Sequence, residues 1–296
     1  MTLLHDLVAA ELGQPVDARV GAFAADIAAR YGDAAQAVLF YGSCLRETQL
    51  DGLMLDFYLI VSDYRAAYAQ GWMALANRLI PPNVFPASHA GLIAKYAVLS
   101  TADFARLNRR ETLNVSVWAR FAQPSRLVWQ RDAAAGEQTI HAVAQAAPTL
   151  IAAALPMQPY DEEDDPLAIW RAAFALTYGA ELRAERKTRA GSVVDADPSR
   201  YLRFTPAVLA AATAGRLDRP AQAQRRWRLR RLQGKTLTVL RLLKASLTYA
   251  GGIEYLAWKI SRHSGHAVVL RPWQRRWPIL GALALLPRLV LRGAVR

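Results

Sequence analysis

The 296-residue chain has a single cysteine, Cys44, which excludes an internal disulfide and favours a reducing compartment. Histidine is scarce too. His5, His89, His141, His263 and His266 show no metal-ligand spacing, so none is assigned a catalytic role. Near the C-terminus the uninterrupted apolar run covers only residues 279–286, far short of the roughly 20 residues needed to span a bilayer. The opening "MTLLHDLVAAELG" lacks a basic leader and a small-residue cleavage end, and reads as an amphipathic helix rather than a signal peptide. No internal repeat is present. Acids are nearly missing from the last quarter: residues 225–296 hold sixteen of the 37 Lys/Arg but one of the 24 acids, Glu254. That segment therefore carries +15 and the preceding 224 residues −2, within a total of +13. Basicity confined to one segment points to a surface for something anionic, nucleic acid or lipid headgroups.

What is present is ample core material. Hydrophobic residues make up 53% and charged ones 21%, which excludes global disorder. Helical spacing predicts helices over about 2–12 and 17–31. "AQAVLFYGS" and "GLMLDFYLIVSD" read as strands, "YRAAYAQGWMALANRLI" as a helix stopped by Pro81 and Pro82, and "GLIAKYAVLS" as a third strand. "TADFARLNRRE" reads as a short helix capped by Thr101. Beyond Pro124, Ala/Leu-rich helical patterns take over. The expected class is α+β: a small mixed sheet with helices over 1–130, a mainly helical domain over 131–265, and a basic amphipathic tail over 266–296. The acidic run "DEEDDP" (161–166) is explained by complementarity to the N-terminus of the helix that follows.

The chemistry concentrates in "VLFYGSCLRETQLDGLMLDFYLIV", residues 38–61. A carboxylate, Asp56, sits inside an apolar strand, where an unpaired charge is costly. Gly42 and Ser43 lie just upstream. A glycine lets backbone approach a phosphate closely, and a serine hydroxyl with nearby amides binds phosphate oxygens. A strand carboxylate holds Mg²⁺ against the transferring phosphoryl group. Strand, Gly-Ser, short helix and an acidic strand form the active-site pattern of the nucleotidyltransferase superfamily. The usual pattern has two acids one residue apart on that strand. Here Tyr58 occupies the second position, and Asp51 precedes the strand as a turn residue.

"FYGSCLRE", "LMLDFYLIVSDY" and "AKYAVLSTADFARL" together resemble the family of the mitochondrial translocator assembly and maintenance protein, a peripheral phosphatidate cytidylyltransferase with bacterial relatives. "WARFAQPSRLV", "TYGAELRAER" and "LTYAGGIEYLAWKISRHSG" extend the likeness over most of residues 35–265. The resemblance implies a nucleotidyltransferase domain followed by a helical, winged-helix-like domain. It further implies that CTP and phosphatidic acid yield CDP-diacylglycerol and pyrophosphate with Mg²⁺. Tyr41, Gly42, Ser43 and Lys95 would then bind the nucleotide, with Ser43, Asp56 and Lys95 catalytic and Asp56 the metal ligand. Glu181 and Arg183 would face the phosphatidate, although Glu181 stands where the family has Asp, and Gln123 replaces a Gly. The attacking phosphate monoester is already anionic, so no strong base is required.

The basic quarter fits this. "RRWRLRRLQGKTLTVLRLLKASL" reads as a basic helix with an apolar face at 229, 232, 237, 240, 243 and 247. Trp273, Trp277 and the flanking arginines suit a segment lying in a membrane interface. The expected partner is an anionic membrane surface, at the cytoplasmic face of the inner membrane, and not nucleic acid. Two other readings compete: transfer to RNA or a small alcohol, and a degenerate nucleotide-binding module suggested by Tyr58.

Overall fold

Two strands flanking the Gly-Ser turn form the middle of the sheet. The computed structural model describes residues 2–47, 49–157, 165–180 and 193–248, together with Pro272. Strands β1 (Ala35–Tyr41), β2 (Met54–Val61), β3 (Asn83–His89), β4 (Leu92–Ser100) and β5 (Ser125–Gln130) make one mixed sheet in the order β3-β4-β2-β1-β5. β2 and β4 are parallel, and every other neighbouring pair is antiparallel. The helices are α1 (Leu3–Leu12), α2 (Ala18–Ala29), α3 (Tyr64–Ala67), α4 (Gly71–Leu79), α5 (Thr101–Leu107) and α6 (Trp118–Phe121). After the sheet come α7 (Ala133–Ala144), α8 (Ala146–Ala154), α9 (Pro166–Tyr178), α10 (Pro198–Thr213) and α11 (Pro220–Thr248). The class is α+β. All five strands lie before residue 131, and every described regular element after it is a helix.

Strand alternation builds two cores. On one face Val38, Phe40, Leu55, Phe57, Leu59 and Val98 pack against Val20, Phe23 and Ile27 of α2. On the other, Leu39, Tyr58, Ile60 and Leu99 join Phe104, Trp118, Leu150, Trp170, Phe204 and Trp227 in one cluster. The second core thus crosses the boundary placed near residue 130. A buried ion pair crosses it as well. Arg200 of α10 donates to both carboxylate oxygens of Glu11 on α1 and, at 3.0 Å, to the carbonyl of Ala122.

Several local expectations are corrected. Residues 64–80 form two helices, because Tyr68 turns extended and buries its ring against Tyr31 and Phe85. Ser100, rather than Thr101, caps α5, its hydroxyl accepting from the Asp103 amide at 3.2 Å. β3 and β5 were not anticipated. β3 tolerates Pro86 because it is an edge strand, and β5 is the opposite edge. The basic helix α11 forms over the expected segment. It buries Ala223, Trp227, Arg230 and Lys244 while exposing Leu229, Leu232 and Leu240. Asp165 caps α9 through the Leu167 amide at 2.9 Å, whereas the acids 161–164 and the tail 266–296 lie outside the described residues, Pro272 apart.

Candidate active site

The register across three strands places Tyr41 of β1 opposite Asp56 of β2, and Asp56 beside Lys95 of β4. These three side chains form a row at the end of the sheet where β1 runs out into Gly42. Lys95 Nζ lies 3.2 Å from Asp56 Oδ1. The contact is an ion pair by distance, without the alignment of a hydrogen bond, and Oδ1 accepts no hydrogen bond among the described residues. The carboxylate is 22% exposed and the lysine side chain 36%, so the pair stands at the mouth of the core rather than within it. Asp56 is therefore tolerated in its apolar strand by an adjacent cation and by its position at the strand's exposed end.

Gly42 has φ +97°, a conformation that side-chain-bearing residues rarely adopt. A Cβ there would lie 3.1 Å from Asp56 Oδ2. The glycine thus performs two tasks: it lets the chain leave β1 in this conformation, and it leaves room for the carboxylate. Ser43 begins a four-residue 3-10 turn, Ser43–Arg46, and is exposed. The short helix expected here is a single turn, too short for an appreciable dipole. Burial first, and then the Asp56 carboxylate, push the Tyr41 phenol well above its ordinary pKa, which keeps it a proton-bearing donor. The same two causes, in the same order, raise the Cys44 thiol.

Tyr58, where a second acid would stand, is 1% exposed and accepts a hydrogen bond from Arg120 Nη1 at 3.0 Å. The Arg120 guanidinium lies 5.2 Å from the Tyr41 ring centroid and 5.8 Å from that of Tyr58. It brings a second cation behind the row. Sequence reasoning assigned Arg120 no role, and its only signal was a place in the "WARFAQPSRLV" segment. Asp51 does not join Asp56. It lies in the preceding turn and pairs with Arg19 at 3.3 Å. Gln123 donates to the Ala119 carbonyl at 2.8 Å, within the connection from α6 to β5.

The structure brings together Tyr41, Gly42, Ser43, Asp56 and Lys95. Glu181 and Arg183 lie outside the described residues. Among the described residues no group of three or more His, Cys, Asp or Glu could hold a metal ion. One carboxylate nevertheless fits Mg²⁺, which is commonly bound through one or two carboxylates plus substrate phosphates and water. Asp56 Oδ1, which accepts no hydrogen bond among the described residues, suits that role. No described helix is long and apolar enough to cross a membrane. No protein-family model matches the chain, and a search of curated proteins finds no match.

Proposed function

We propose that this protein is a Mg²⁺-dependent phosphatidate cytidylyltransferase that works at an anionic membrane surface. The observation that carries the reading is the Gly42–Asp56–Lys95 arrangement: a carboxylate against a positive-φ glycine turn, next to an ammonium, at the open end of a strand. The Gly-Ser strand lying antiparallel to the acidic strand in a mixed sheet supports a nucleotidyltransferase fold. The motif likeness to the translocator-maintenance family supplies the substrates.

In this reading a phosphate oxygen of phosphatidic acid attacks the α-phosphorus of CTP. The bond to the bridging oxygen breaks, pyrophosphate leaves with those electrons, and CDP-diacylglycerol forms. Mg²⁺ held by Asp56 would neutralise charge on the nucleotide phosphates. Ser43 offers its exposed hydroxyl to a phosphate oxygen, and Tyr41 a protonated phenol. Lys95 is placed to exchange its contact with Asp56 for one with a phosphate. Arg120 adds positive potential behind Tyr41 and Tyr58. None of these steps needs a base. The membrane part is supported by α11, whose exposed Leu229, Leu232 and Leu240 lie among Arg225, Arg228, Arg231 and Lys235.

One observation favours a second reading, a nucleotide-binding module without catalysis: Tyr58 closes the place of the second acid. Full-length protein incubated with labelled CTP, Mg²⁺ and phosphatidic acid in mixed micelles separates the two. CDP-diacylglycerol formed by the wild type and lost in Asp56→Ala is the expected result. Nucleotide binding without product, with other nucleotides and acceptors tried in parallel, would establish the module instead.

A further inference from the structure

A second concentration of charge lies apart from the Tyr41–Asp56–Lys95 row and shares no residue with it. Arg110, Arg216, Asp218, Arg226 and Arg230, with Thr149 of α8, line a cavity of about 30 Å³ between α8, α11 and the α10–α11 connection. On this measure one water molecule needs roughly 10–15 Å³, so the space holds about two waters or one tetrahedral oxyanion.

Four guanidinium groups face one carboxylate. Two of the arginines are fixed by the protein. Arg110 donates to the carbonyls of Ala211 (2.9 Å) and Ala212 (2.6 Å). Arg226 pairs with Asp218 at 3.0 Å and donates to the Arg110 carbonyl at 3.0 Å. The other two have no ion pair or hydrogen bond among the described residues. Arg216 is exposed at the rim. Arg230 is only 3% exposed, and its Nε is buried without a partner. Its guanidinium lies 4.8 Å from the Trp227 ring and 5.8 Å from that of Trp118, which supports the cation but does not satisfy its N–H groups.

Burying Arg230 where one carboxylate, Asp218, is shared among four arginines is costly, and Arg226 one helical turn away adds like-charge repulsion. Burial, followed by Arg226, lowers the Arg230 pKa to about 10. An anion in the cavity would relieve all of these at once. Guanidinium groups are also the side chains best matched to paired phosphate oxygens.

We propose that this cavity is a binding site for a phosphate-class oxyanion, gripped by Arg216 and Arg230 and oriented by Arg110 and Arg226. The ligand is either free phosphate or the phosphate monoester of a lipid headgroup. The site does not depend on the cytidylyltransferase reading.

The test is titration calorimetry and thermal unfolding of the full-length protein with inorganic phosphate against chloride at matched ionic strength. Phosphate should bind and raise the melting temperature where chloride does not. Arg216→Gln and Arg230→Met should each weaken binding about tenfold or more, whereas Arg65→Gln, which removes an exposed cation on α3 that lines neither site, should leave it unchanged. Arg216 is exposed, so its variant decides the matter if Arg230→Met fails to fold. Equal phosphate binding by wild type and Arg216→Gln, no advantage over chloride, or an equal loss in Arg65→Gln would overturn the proposal. Phosphatidylcholine vesicles with and without phosphatidic acid identify the source. Phosphatidate-dependent binding that free phosphate competes away and Arg216→Gln reduces assigns the lipid headgroup, and its absence beside intact phosphate binding assigns the free ion.

Discussion

Gly42 and Asp56 are in near contact across the open end of the sheet: a methyl group on the glycine would stand 3.1 Å from the carboxylate oxygen Oδ2. Backbone conformation and a functional acid are thereby tied to one another. Gly42→Ala should lose about 1–3 kcal/mol of stability from the forced positive φ alone. It should also displace the Asp56 carboxylate. Urea unfolding reads the first effect. A loss of nucleotidyl transfer larger than the stability loss explains reads the second.

The sole thiol offers a substrate-free probe of the same charge. Burial and then Asp56 raise the Cys44 pKa, so alkylation by iodoacetamide at pH 8 should be slow compared with a free thiol. Asp56→Asn removes the electrostatic part and should speed modification severalfold with the fold unchanged. An unaltered rate would mean that burial alone protects the sulfur.

Glu11 and Arg200 bind the first helix to the second half of the chain in a fully enclosed pair. Glu11→Ala leaves the Arg200 charge buried and should cost about 3–5 kcal/mol. The double variant Glu11→Leu/Arg200→Met should recover most of that loss. A shift in denaturation midpoint at constant slope is the measurement.

Lys244 is buried on α11 and donates to the carbonyls of Ile80 and Pro82. Burial, followed by the charge of Arg241, lowers its pKa from 10.5 to about 7. Below pH 7 the ammonium must be kept charged in the fold, and the penalty is complete. Between about 7 and 10.5 the unfolded chain holds a proton that the folded one has released, so stability should rise with pH. Lys244→Met should abolish that slope. Unfolding free energies at several pH values, compared between the two proteins, give the answer.

The central strands and their acid were legible because a period of two and a lone charge in an apolar run are local signals. β3 was hidden by Pro86, which is excluded from inner strands but not from an edge. β5 was hidden by Arg126 and Trp129, whose half-buried edge positions give no clean alternation. The buried side of α11 was not legible for a different reason. Leucines usually mark the buried face, but here Trp227, Arg230 and Lys244 turn inward toward Trp118 and toward the carbonyls of Ile80 and Pro82. Those partners lie far away in sequence, so no periodicity reveals them. Arg120 escaped notice in the same way, since its meeting with Tyr58 exists only once α6 has packed on the sheet.

The exposed leucines of α11 bear on how the protein behaves in bulk solution. Leu232 is 67% exposed, and Arg228 and Arg231 lie within one helical turn of it. At low ionic strength the arginines keep two copies from pressing their leucines together. Salt shortens the reach of that repulsion to a few ångströms and leaves the hydrophobic attraction intact. Away from a bilayer, this helix should make the protein clump as salt is added, and the colloidal optimum would then lie in dilute buffer.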